Sequence, residues 1–214
     1  MGLAIGVGML AKFDGVDGKA AARIRRDIDA INTELEARDL REHREPESFD
    51  ESLDSRASLT SFPYSWLHYL RRFAAHVMRD PKWVPYPVEP GEDPAEDPVL
   101  RQMYRDMDSH LLCHSDSEGY YVPVDFSELI LDPEHEISGG VVGSSHQLRR
   151  ELSVLSDALE IQLDDDGQLS DGVAQEVSEQ RPTSIPFAIE RLVWLALWES
   201  TRLSIERRTA IVFY

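Results

Sequence analysis

His110, His114, Asp116 and Glu118 lie close together in the chain, and imidazoles and carboxylates so grouped are the raw material of a metal site or an acid–base pair. Read as a strand, His110-Leu-Leu-Cys113 puts His110 and His114 on one face. Four residues of strand span roughly 13 Å, too far for both imidazoles to hold one ion. His114 and Asp116 are therefore the candidate ligands, or the acid and base of an enzyme. His146, or His135 and Glu136, would complete the set from elsewhere. The competing reading is a polar loop whose side chains meet water or bond the turn backbone. Cys113, the single cysteine, stands next to His114, but consecutive strand residues point to opposite faces. A thiolate base would then have to come from His135 or His146, and a buried structural cysteine is the plainer alternative.

Three further patterns carry possible chemistry. Gly139 to Ser145 precedes an apolar helical pattern, so Gly143, Ser144 and Ser145 offer amides, hydroxyls and a positive helix end to an anion. The same residues also describe a capped helix, with Ser144 as N-cap and Gln147 three residues later. Gly6-Val-Gly8 matches half of a dinucleotide fingerprint, yet Lys12 to Gly18 reads as turn where a helix is required. Gln162-Leu-Asp-Asp-Asp-Gly167 resembles the start of a calcium loop, but Gln162 and Val173 stand where carboxylates are needed. An acidic turn is the better description. Asp164, Asp165, Asp166 and Asp171 form a candidate binding face, with no basic residue near them in the chain.

Elements able to position these residues follow from apolar spacing. Ile24, Ile28, Ile31 and Leu35 mark one face of a helix from Gly18 to about Leu40, capped by Asp14 or Asp17. Arg41 to Ser58 is polar enough to cross the surface as a loop. Trp66, Leu67, Leu70, Phe73, Ala74 and Val77 mark a second helix, Tyr64 to Met78. Prolines alternate with acids over about 83–98, which predicts an extended surface loop. A short helix over Val99 to Met107 follows, then a hairpin with arms His110–Cys113 and Tyr120–Val124. Pro123 places the second arm at a sheet edge or ends it. Leu148, Leu152, Leu155 and Leu159 define a buried helical face. The acidic segment at about 164–184 reads as loop with one short helix. Pro186 to Arg202 is apolar almost all round and belongs at the centre. Leu3–Val7 and Ala210–Tyr214 are β-prone runs at the two ends. The expected fold is one α+β domain over 1–214, a small mixed or antiparallel sheet of N-terminal strand, central hairpin and C-terminal strand packed on several helices.

The 214 residues hold 22 Lys and Arg against 40 Asp and Glu, a formal net charge of -18. Such a surface repels phosphates, so nucleic acid is not an expected partner and a basic protein is. No apolar run approaches the roughly 18 residues that a membrane span requires, and a lone cysteine suits a reducing compartment. No cofactor is implied.

The run His114-Ser-Asp-Ser-Glu-Gly-Tyr-Tyr-Val-Pro-Val-Asp-Phe126, followed by Gly143-Ser-Ser and the Leu148/Leu152 helix, resembles a bacterial family of uncharacterised proteins. The likeness covers the second half of the chain, to Ile205-Glu-Arg-Arg-Thr-Ala-Ile-Val-Phe213. It implies a shared fold and a bacterial, cytoplasmic protein, and brings no catalytic residues with it. Incomplete catalytic motifs and strong negative charge together point to a non-enzymatic binding protein of the immunity or inhibitor kind. The alternative is a small-molecule or metal-dependent enzyme with its site between the 114–119 loop and the 139–145 turn. A third reading is a scaffold subunit with Trp194 and Trp198 at a helix interface.

Overall fold

A computed structural model of the chain describes residues 2–134 and 136–214. Numbered in chain order, its strands are β1 (Gly2–Val7), β2 (Ser61–Pro63), β3 (Gly119–Val122), β4 (Ile130–Leu131), β5 (Val141–Ser144) and β6 (Ile211–Phe213). The helices are α1 (Met9–Phe13), α2 (Gly18–Glu36), α3 (Tyr64–Arg79), α4 (Pro98–Met103), α5 (His110–Cys113), α6 (Ser145–Leu155), α7 (Asp171–Ser178) and α8 (Ala188–Arg207). The fold is α+β. A mixed sheet runs in the order β2-β1-β6-β3-β5-β4, antiparallel except where β3 lies parallel to β5.

Strand alternation builds two cores. Tyr121, Ile211, Phe213 and Leu3 face α3, α6 and α8, whereas Tyr120, Val122, Val142 and Val212 face the Ile24/Ile28/Ile31/Leu35 stripe of α2. With helices on both sides, every residue of β3 is buried. α8 runs through the larger core, with Trp194 and Trp198 stacked at 4.6 Å and both wholly buried. They pack the interior and present no interface, as the scaffold reading had required. The N-caps of α2 and α6 are Asp17, which accepts from the amides of Lys19 and Ala20, and Ser144, which accepts from Gln147. Both satisfy amides that a helix start leaves without partners.

The expected hairpin is absent among the described residues. His110–Cys113 is one helical turn, and β3 pairs with β6 and β5. Four mostly apolar residues fit a strand or a turn of helix equally well, and the choice is made from outside the segment. The buried Glu151 carboxylate accepts the amides of His110 and Leu111 at 2.8 and 2.7 Å, and Ser109 caps Leu112. Pro123 ends an interior strand. A short helix, α1, precedes the turn expected over Lys12 to Gly18 and takes in its first two residues, and the turn follows at Asp14 to Val16.

Candidate functional site

The His-Asp-Cys constellation does not converge. His110 Nδ1 accepts from the Ser144 amide at 2.8 Å, and its Nε2 donates to the Ser127 carbonyl at 3.2 Å. The ring is thus neutral, and burial pushes its pKa down to about 4. His114 is fully buried and stacked on Tyr121 at 4.0 Å, its nitrogens 3.0 Å from the carbonyls of Ser115 and Tyr120. Burial holds it down to about 4 as well. Asp116 turns away to His68 at 3.2 Å. His146 sits half-buried in α6, and His135 lies outside the described residues. Among those residues no three His, Cys, Asp or Glu side chains group as a metal site would require. Burial also raises the Cys113 thiol, which disfavours a thiolate, and the neighbouring His114 nitrogens already face backbone carbonyls. Of the site expected between the 114–119 loop and the 139–145 turn, His110 and His114 are thus turned inward in structural bonds, while Ser117 and Glu118 stay exposed, Glu118 meeting Arg23 at 2.6 Å.

The glycine-serine turn is likewise internal. Gly143, Ser144 and Ser145 are all buried. Ser144 Oγ donates to Val124 O at 2.7 Å, Ser145 Oγ meets Ser204 Oγ at 2.7 Å, and the Tyr121 ring covers the Gly143 Cα. No anion reaches these groups without displacing the core. At the other glycine motif Gly8 has φ 68°, and a Cβ there would stand 2.5 Å from a Leu53 methyl and 2.7 Å from the Phe49 ring. Side chains occupy the space a pyrophosphate would need.

What remains at the surface is charge, and it is partitioned unevenly. Some arginines are drawn inward, while others, among them Arg26, Arg79, Arg105, Arg181 and Arg208, stay exposed. Buried Arg71 donates to the carbonyls of Leu111 and His114 at 2.9 and 2.6 Å. Buried Arg72 meets Asp97 and lies over Tyr86. Arg149 lies 3.4 Å from the centroid of Trp198, and burial lowers its pKa to about 10. Arg56 and Arg202 converge on Glu199. Each of these cations serves as internal glue.

Many carboxylates stay outside, although Asp27, Asp132, Glu151, Glu190 and Glu199 are buried. Asp29, Glu36, Asp39, Glu89, Glu92, Asp157, Asp165 and Asp166 are exposed; none forms an ion pair among the described residues. The acidic turn is built to display them. Asp164 folds back to accept from the amides of Asp166 and Gln168 at 3.0 and 2.7 Å, and Leu163 bridges to Leu169 beneath it. Asp165 and Asp166 are left pointing to water. Asp171 departs from the expectation of an unneutralised set, since Arg56 meets it at 2.9 Å. That pair spans 115 positions in the chain, which is why no local reading could reveal it.

Residues 1–213 match the family described as "Putative DNA-mimic protein". No curated protein and no solved structure matches the chain. The family covers almost the whole chain, where the residue-level resemblance reached only the second half. The match also corrects the partner expectation drawn from charge, a basic protein with nucleic acid left out of account. Nucleic acid returns as the thing imitated.

Proposed function

Since the chain belongs to this DNA-mimic family, we propose that it is a non-enzymatic binder of DNA-binding proteins, whose DNA sites it occupies by presenting carboxylates in place of phosphates. The carrying observation is the formal net charge of -18 together with exposed carboxylates that meet no cation among the described residues, crowded at the Asp164-Asp165-Asp166 turn. A DNA strand carries about one charge per 3.4 Å. Asp164-Asp165-Asp166 crowds three carboxylates into one tight turn, a local concentration of negative charge of comparable order. Asp164, Asp165 and Asp166 are therefore assigned to the mimicking face, and Asp171, paired with Arg56, to its edge. A cationic DNA-binding surface is steered to such a face at long range. In a bacterial cell this activity belongs to the cytoplasm.

The test is release of a short fluorescent duplex from purified DNA-binding proteins: a DNA-bending nucleoid protein, a helix-turn-helix repressor and a restriction endonuclease. The wild-type chain is expected to displace the duplex from at least one. D164N/D165N/D166N is expected to do so about tenfold less well, each exposed charge contributing roughly 0.5 kcal/mol. Raising salt from about 50 to about 200 mM should slow association sharply. Failure to displace the duplex from any of the three, at concentrations where an equal charge of heparin succeeds, refutes the reading.

A further inference from the structure

An open groove of about 950 Å³ lies between the segment after α3 and the end of α6. Its walls are apolar: Val77, Trp83, Val154, Ile185 and Phe187. Val154 and Ile185 are 57% and 41% exposed, an arrangement that costs solvation free energy unless something covers it. The floor is preformed, because Trp83 and Phe187 both pack edge-on against buried Phe73 at 5.4 Å. Asp157 and Glu160 stand on the rim. Asp157 has no cationic partner among the described residues, while Glu160 is shared with Arg191 at 2.8 Å. Asp164 follows Glu160 by four positions, a reach of at most about 14 Å. The trough, which Arg191 also lines, thus lies within about 14 Å of chain of the densest run of carboxylates.

We infer that this groove docks an amphipathic cationic helix of the DNA-binding partner, an inference that rests on the DNA-mimic reading. Its apolar side chains would enter between Val154, Ile185 and Trp83, and its Lys or Arg residues would face Asp157 and Asp164 to Asp166. Charge complementarity selects this occupant. A second copy of the chain would set the acidic rim against itself across a two-fold axis, with -18 on each side. The groove also supplies what duplex DNA lacks, an apolar contact that salt does not screen. Selectivity among cationic partners would then come from the groove, and encounter rate from the acids.

Two peptide probes read this directly, a Leu/Lys amphipathic helix and an oligolysine of equal charge. The wild type should bind the amphipathic peptide about tenfold more tightly, as expected for covering one or two aliphatic side chains. V154Q/I185Q, at exposed positions where substitution costs little stability, should lose that preference and keep its oligolysine affinity. D157N/D164N/D165N/D166N should weaken both. A V154Q/I185Q variant that keeps the full preference overturns the inference. So does a wild-type dimer in sedimentation that V154Q/I185Q abolishes, which would assign the groove to a second copy. Peptide preference without duplex release sinks the DNA-mimic reading and leaves the groove standing, and duplex release without peptide preference does the reverse.

Discussion

Replacing Glu199 by Gln is the sharpest probe of how this chain disposes of its arginines. The Glu199 side chain is wholly buried on α8, accepting from Arg56 Nη2 at 2.6 Å, the Arg56 amide at 3.1 Å and Arg202 Nη2 at 2.8 Å. Burial alone would raise its pKa, but the two guanidiniums outweigh burial and hold it at about 2, against an ordinary 4.5. At about 1.36 kcal/mol per pH unit this difference represents roughly 3 kcal/mol. Water reaches both guanidiniums, which are 25% and 22% exposed, and trims the figure to about 2–3 kcal/mol. Because the folded pKa is depressed, the stabilisation is fully present above pH 4.5 and is lost as pH falls toward about 2. Glu199→Gln keeps the shape and removes the charge. Arg56 retains Leu169 O and Asp171, and Arg202 retains Asp54 O and Glu206. The loss at neutral pH should therefore sit near about 3 kcal/mol, the low end for breaking a buried pair. Urea titrations of both proteins at about pH 7 and about pH 3 read it, and the gap should narrow by more than half at the lower pH. A loss under about 1 kcal/mol at neutral pH, or a gap that does not narrow, means Glu199 does not organise this cluster.

Leu152→Ala, in a wholly buried position, should cost about 2–5 kcal/mol in denaturant titration. Ser144→Ala removes both the cap and the bond to Val124 O and should cost about 2 kcal/mol. Deleting Ala210 to Tyr214 removes the strand that joins β1 to β3, and the truncated chain is expected to show no cooperative melt; a transition within a few degrees of full length would contradict the sheet order. His110, held near 4 by burial against an ordinary 6.5 and accepting the Ser144 amide at Nδ1, stays neutral in the fold while the unfolded chain takes up a proton. Stability should accordingly drop by about 1 kcal/mol between about pH 7 and 5.5, above the carboxylate range, and a flat profile over that window would count against a buried neutral imidazole.

Periodicity made the long helices readable: the Ile24 to Leu35 stripe, the Leu67 to Val77 face and the Leu148 to Leu155 face all bury as spaced. The end strands were readable from β-prone composition. Decisions made across long distances were not. His110–Cys113 becomes helical because Glu151 caps it from α6, and nothing within the four residues announces a carboxylate acceptor. The Arg41 to Ser58 loop looks uniformly solvated, yet His43 and Glu45 are buried in it, where Glu45 accepts from the Thr209 hydroxyl and the Ala210 amide. The acidic turn was legible because Asx turns are local, whereas the Asp171 partner came from Arg56. The His-Asp-Cys candidates are held apart by contacts mostly of the same long-range kind: backbone meets the His110 and His114 nitrogens, and His68 meets Asp116.

Sheet order has a kinetic consequence. β6 lies between β1 and β3 and pairs with both, so two strands almost the full described chain apart meet near the middle of the sheet. Contacts separated by almost the full chain close a large loop before any reward is collected, and such topologies fold slowly. Until residue 213 emerges, β1 and β3 each present an unpaired edge to the cell, the kind of edge that seeds association between nascent chains. Synthesis rate and chaperone supply, more than equilibrium stability, should therefore govern how much of this protein accumulates in active form.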